Sequence, residues 1–310
     1  MTAVEKFFRY YTLEGSPIPA LVVLTAVGVC VGMLVARWVS RLMREPGTKR
    51  RDVAVLAIVM PLTYGVVFMG IAHWRCQEIV EGGSLAWYPA RIFSHLVLIT
   101  LMIAATGTDL KDYEIPDWIT VPGMIFGVAM ATLCGNIQIL PLWVDWNVPT
   151  AMHFGPYIPE WIKQHSHYHG VSWSLAGLLA GGGITWVVRW LAKVTSGQES
   201  MGDGDVTLMA MIGSFLGWQP ILFAFVFAPV WGLLGAIVSL MVVGRSYVPY
   251  GPYLCAGAFT AMMTWRWLWP PVRLIFGHPP TLGLLLGGIF VGMVVLLGLM
   301  RVYRAIPVKK

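Results

Sequence analysis

Two aspartates sit where a carboxylate is expensive. Asp109 closes one long apolar run, and Asp205 opens another behind Met201-Gly202-Asp203-Gly204. An ionisable group beside lipid is a functional candidate by default. Desolvation and a neighbouring like charge both oppose ionisation, so two carboxylates at one membrane face come to share a single proton. Such a pair is an acid and a base together: the ionised member takes a proton from an attacking water, while the protonated member polarises the carbonyl under attack. Gly202 and Gly204 free the backbone so that a carboxylate and an extended peptide can approach closely. Beyond Asp109, the stretch Leu110-Lys111-Asp112-Tyr113-Glu114-Ile115 leads to Pro116 and Asp117, which read as the start of the next helix. Asp112, Glu114, Asp117 and Asp203 are expected to cap or be solvated, with Asp203 adding to the charge that opposes ionisation of Asp205. Glu199 is a candidate contact for a basic substrate, with a solvated loop residue as the equal alternative.

Other groups with possible chemistry are weaker. His165, His167 and His169 alternate as metal ligands can, but on an outer loop they are expected to be surface residues, and no metal site is predicted. His95 reads as a hydrogen-bonded packing residue. The four cysteines, Cys30, Cys76, Cys134 and Cys255, include no CxxC and indicate neither a zinc ribbon nor a disulfide framework, although Cys76 and Cys134 could meet outside the membrane. No cofactor is expected.

The carboxylates need elements to hold them, and the composition says which kind. The chain has 310 residues, 57% of them hydrophobic and 12% charged, too few polar groups to coat a water-soluble surface. Its mean hydropathy of +0.70 makes lipid the solvent for much of that surface. The net charge of +6 is spread between loops rather than gathered in a basic patch, which argues against a nucleic-acid partner. Apolar stretches long enough for helices in a bilayer fall at 18–39, 53–74, 92–106, 118–134, 171–194, 206–218, 221–243, 250–269 and 281–302. The predicted fold is all-α, a polytopic membrane helix bundle with about eight or nine transmembrane helices. The sixth stretch offers only about 13 residues, roughly 20 Å of helix, so Asp205 is expected to begin slightly within the membrane.

The basic residues Arg41, Arg44, Lys49, Arg50 and Arg51 put the first loop on the cytoplasmic side. Alternation then leaves 14 of the 21 lysines and arginines inside, with the N-terminus outside and the C-terminus cytoplasmic. Asp109 and Asp205 fall on the same, inner face. The first 16 residues lack the pattern of a cleaved signal, so the first helix is read as retained. The outer segment 135–168, with Trp143, Trp146, Trp161 and several prolines, is expected to form a small ordered cap.

Three motifs in order resemble the type IV prepilin peptidases, membrane aspartyl proteases with a GxGD motif. The first is Asp109-Leu110 followed by Pro116, Asp117, Thr120 and Pro122. The second is Glu199, Met201, Gly202, Gly204 and Asp205 leading to Leu208, Leu216 and Gly217. The third is Pro249, Gly251, Pro252, Leu254 and Gly257 at the opening of a later helix. The resemblance implies an aspartic endopeptidase with Asp109 and Asp205 catalytic, and with Gly202, Gly204, Glu199, Pro116, Asp117, Pro249, Gly251 and Pro252 as motif or substrate-binding positions. It implies removal of basic leaders from type IV prepilins or type II secretion pseudopilins at the bacterial cytoplasmic (inner) membrane, with those precursors and the lipid bilayer as partners.

The chain also departs from the family. Residues 40–52 carry no paired cysteines, which the longer members place there in association with zinc and N-methyltransferase activity, so that second activity is not expected. Thr207 stands where the family has a lysine. On this reading residues 1–270 form the peptidase-like membrane domain with an outer insert at about 135–168, and residues 271–310 add a helix and a basic tail. A presenilin-like intramembrane protease would carry Pro-Ala-Leu in a late span, whereas here it is Pro19-Ala20-Leu21 in the first. A membrane transporter would place its polar groups at the midplane. An inactive membrane scaffold is the third alternative.

Overall fold

In a bilayer a helix satisfies its own backbone, and the apolar stretches follow that rule. The computed structural model describes residues 16–42, 50–78, 88–144, 158–196, 201–242 and 249–305, and among them there are helices and no β-strand. In chain order they are α1 (Ile18–Leu42), α2 (Arg50–Phe68), α3 (Tyr88–Asp112), α4 (Asp117–Cys134), the short α5 (Glu160–Gln164), α6 (Ser166–Ser196), α7 (Asp203–Leu216), α8 (Trp218–Val242), α9 (Gly251–Gly277) and α10 (Pro279–Ala305). A π-helical turn, Met69–His73, extends α2.

All nine predicted stretches are helical. Seven of the helices, α1, α2 with its π turn, α3, α4, α6, α8 and α10, are long and apolar enough to cross a membrane. The other two differ for separate reasons. α9 is 27 residues long but carries Arg266, Arg273 and a Pro270-Pro271 pair. α7 has only 14 residues, and from Leu208 to Leu216 every one is buried. It lies at the centre of the bundle among α3, α4, α6, α8 and α9, sheathed by longer helices, so it need not match the hydrocarbon thickness itself.

Small residues bring the central helices together. A Cβ on Gly177 of α6 would collide with the carbonyl oxygen of Gly213 on α7, and one on Gly213 would collide with the carbonyl oxygen of Gly177. One turn along α6, Gly181 faces the Met209 carbonyl in the same way. Backbones this close gain dispersion contact that lipid tails cannot match, and only glycine allows it. Ser174 adds a hydrogen bond from its hydroxyl to the Ser214 carbonyl, 2.7 Å.

The described parts of the segment expected to form a cap, 135–144 and 158–168, pack onto one end of the bundle; residues 145–157 lie outside the described residues. Arg91 donates to the carbonyls of Ile137 and Gln138 at 2.9 and 2.7 Å, Trp218 Nε1 donates to Leu142, and Trp143 stacks on Trp218. His169 corrects the surface reading of the histidine cluster. It is fully buried, pairs with Gln138 Nε2 and accepts from the Leu142 N–H, because the cap covers it. His165 and His167 are exposed and bond through Nδ1 to the carbonyls of Trp161 and Thr132. No group of three metal-ligating side chains occurs among the described residues. His95 is buried, with Nδ1 on the Arg91 carbonyl. All four cysteines are free, so Cys76 and Cys134 are not joined.

Candidate active site

α3 runs six residues further than the apolar pattern, to Asp112, which puts Asp109 in its last turn rather than beyond it. The chain then turns through Tyr113, at φ 56°, and is extended at Pro116 before α4 starts at Asp117, as read from the Pro-Asp pair. Between them Ile115 is buried and acts as a spacer. A Cβ on Gly204, near the start of α7, would lie 2.9 Å from the Ile115 Cβ, and one on Gly251, at the start of α9, 2.9 Å from its Cδ1. Both glycines are therefore required by close approach to one side chain, which draws the two helix starts together around the Asp109 turn.

Each carboxylate is held by the N-terminus of a helix. Asp205 sits in the first turn of α7, and its Oδ2 accepts from the Gly202 N–H at 3.1 Å. Asp109 reaches across to α9, where its Oδ2 accepts from the Gly251 N–H at 3.0 Å. Helix starts present unpaired N–H groups and a partial positive charge, which suit a carboxylate oxygen. A Cβ at Gly251 would come within 2.5 Å of that same Oδ2, so the third motif's glycine is the seat of the first motif's aspartate. Asp109 and Asp205 are 6% and 8% exposed, buried for carboxylates yet open to the same cavity. They are close enough for their charges to act on each other.

That cavity has a volume of about 880 Å³ and is lined by both aspartates together with Glu114, Pro116, Asp117, Gly202, Gly204 and Pro249, among others. It thus gathers most of the predicted positions. Gly251 joins through its bond to Asp109. Pro252 does not line it: at the second position of α9, where a missing N–H costs nothing, it faces a smaller cavity against α2 and α3. Glu199 lies outside the described residues.

Burial raises the pKa of Asp205, opposed by the Gly202 N–H and by the charge of Arg189. The expectation that Asp203 would add to that rise is corrected: Asp203 is exposed and ion-paired with Arg189 of α6, and Arg189 pulls Asp205 the other way. Thr207 donates its hydroxyl to the Gly204 carbonyl, staying within its own helix turn. Tyr250 is a cavity residue that pattern reading missed. Its hydroxyl is pushed up to about 12, by burial first and then by the charge of Asp205. Its place beside the Pro249-x-Gly251 motif was the available signal.

Fold and site define a multi-pass helical membrane protein with a two-carboxylate cleft. The sequence model of the type IV leader peptidase family matches residues 96–240, a stretch that contains both aspartates. Through that region the chain is similar to the type IV leader peptidase family. It is similar to a prepilin leader peptidase/N-methyltransferase of Pseudomonas putida, 26% identical over 185 residues that cover 58% of this chain and 53% of the relative. The protein of the same name from Pseudomonas aeruginosa is 29% identical over 146 residues, 44% of this chain and 46% of the relative. That of Stutzerimonas stutzeri is 36% identical over 93 residues, 29% and 32% respectively. The chain spans about half the length of the curated relatives it matches. No solved structure matches it.

Proposed function

We propose that this chain is a membrane aspartic endopeptidase that removes the basic leader from type IV prepilins or type II secretion pseudopilins at the cytoplasmic face of the bacterial inner membrane. The observation that carries the reading is the pairing of Asp109 and Asp205, each held through Oδ2 by a glycine N–H at a helix start, on one cavity. A carboxylate fixed through one oxygen keeps the other for chemistry, so positions are set before substrate arrives. The ionised member takes a proton from the attacking water, and the protonated member polarises the scissile carbonyl and then supplies the leaving amine with its proton. Gly202 and Gly204 leave room for an extended peptide beside Asp205, and Glu114 and Asp117 give the cleft the charge that suits a basic leader.

The peptidase unit is residues 1–270 with the outer cap at about 135–168, and residues 271–310 are an addition to it, with the N-terminus outside and the C-terminus cytoplasmic. The absence of paired cysteines from residues 40–52 supports leader removal without N-methylation. The purified full chain, incubated with a candidate prepilin and read by mass spectrometry, is expected to yield a shortened product with an unmodified new N-terminus. An intact prepilin would defeat the peptidase reading. A methylated product made by this protein alone would defeat the second half.

A further inference from the structure

Tyr250 is tied to both halves of the carboxylate pair. It is the residue just before α9, so its neighbour along the chain is Gly251, whose N–H holds Asp109 Oδ2. Its side chain lines the carboxylate cleft, and the charge of Asp205 reaches its hydroxyl. The backbone thus fixes Tyr250 beside one aspartate while the phenol faces the cavity shared with the other.

Packing accounts for the ring but not for the hydroxyl. The ring tilts against Tyr253, with centroids 6.4 Å apart, and its Cε2 lies 3.8 Å from a Cβ placed on Gly232 of α8. Phenylalanine would make the same contacts. Tyrosines buried elsewhere in the bundle bond their hydroxyls: Tyr64 pairs with Thr100 at 2.6 Å, and Tyr88 with Glu78. The hydroxyl of Tyr250, a half-buried residue, makes no hydrogen bond to any described residue. Drawing a hydroxyl away from water without a partner costs free energy, so a phenol left open on a reaction cleft calls for a ligand that completes it.

We propose that Tyr250 is a third catalytic residue, whose phenol donates a hydrogen bond to the oxygen of the scissile carbonyl as negative charge develops there. The inference rests on the leader-peptidase reading and deepens it. When water attacks, its oxygen bonds to the carbonyl carbon, one of its protons passes to the ionised aspartate, and the carbonyl π electrons move onto the carbonyl oxygen. That oxygen then has two donors, the protonated aspartate and the phenol. On collapse the C=O bond re-forms, the C–N bond breaks, and the amine leaves with the proton of the aspartate that began protonated. The phenol keeps its own proton throughout. Burial and the charge of Asp205 both oppose loss of that proton, so the group stays a donor. A fixed donor at a developing oxyanion is worth about 100- to 1,000-fold in rate.

Tyr250→Phe keeps the ring and removes the donor. With the full chain and a prepilin, kcat is expected to fall about 100-fold while KM changes by about twofold or less, because the bond is made to the transition state and not to the ground-state peptide. The Tm should stay at the parental value. A tyrosine that serves packing alone predicts the reverse, a lower Tm with kcat maintained in the folded fraction.

Replacing Tyr250 by difluorotyrosine makes the phenol more acidic at nearly constant shape. The alkaline limb of the kcat–pH profile should then move to lower pH, which a change in packing would not produce, and this variant decides the matter if Tyr250→Phe folds poorly. Near-parental kcat in folded Tyr250→Phe, or an alkaline limb that difluorotyrosine leaves in place, overturns the proposal and leaves the leader-peptidase reading standing. If the parental protein cuts no prepilin, that reading fails and the proposal fails with it.

Discussion

The α6–α7 pair and α10 are both rich in glycine, and they use it in opposite ways. Between α6 and α7, Gly177, Gly181 and Gly213 each replace a side chain that would strike the backbone of the facing helix, and the result is a fixed seat for Asp205. Along α10 the glycines face empty space and the helix is almost wholly exposed. The first arrangement holds a reacting group in place; the second leaves a wall that can move. Composition alone does not separate the two, since Gly181-Gly182 and Gly287-Gly288 look alike in sequence. What separates them is the partner across the interface.

The contrast can be broken most severely at Gly213. Gly213→Val should destabilise the protein by about 3 kcal/mol or more, since its side chain would have to displace the α6 backbone. Thermal unfolding in detergent reads the loss, and a Tm near the parental value would mean that α6 and α7 are not locked together.

At the site itself the expected effect is on rate. Gly251→Ala places a methyl against Asp109 Oδ2 and moves that carboxylate, at a cost of roughly 100-fold in cleavage with little change in Tm. Equal loss of stability and activity would mean that Gly251 serves packing alone.

A smaller effect is expected at Arg189, which lowers the pKa of Asp205 and pairs with Asp203. Arg189→Gln removes a cation that favours the ionised form, so the pKa of Asp205 rises. The acidic limb of the cleavage–pH profile should then move to higher pH, and a shift to lower pH would contradict the assigned electrostatics. Stability should change by about 1 kcal/mol or less, as for a partly exposed pair.

The mildest change is predicted on α10, where Gly287→Ala should be neutral or stabilising by up to about 1 kcal/mol through helix propensity. A clear drop in Tm there would show that α10 is packed as tightly as the centre.

Much of this was legible from residue order. The apolar stretches located nine of the ten α-helices among the described residues, all but the short α5, and Pro116-Asp117 marked the start of α4 correctly. The Gly202–Asp205 motif marked the start of α7. Length misled at α7, whose 14 residues look like an incomplete span until their burial on all sides is seen. Contacts between distant segments were not legible. The Gly251 N–H that holds Asp109 is 142 positions away, and hydrophobic periodicity reports only on neighbours within a few turns. Ile115 looked like one more apolar residue in a polar turn, yet two glycines pack against it. His169 was misread for the same reason: its burial depends on the Gln138–Leu142 stretch folding back over it.

The central claim is that Asp109 and Asp205 work as one acid–base pair, and the most direct measurement is prepilin cleavage by Asp109→Asn and Asp205→Asn proteins inserted in membranes. Each substitution keeps the side chain's volume and removes one half of the pair, so each should lower cleavage by roughly 1,000-fold or more while expression and insertion stay unchanged. The double variant should be no slower than either single one, because members of one catalytic unit are not additive. Near-parental cleavage by either single variant would contradict the pairing and leave that aspartate as a helix-end residue favoured only by the dipole beside it.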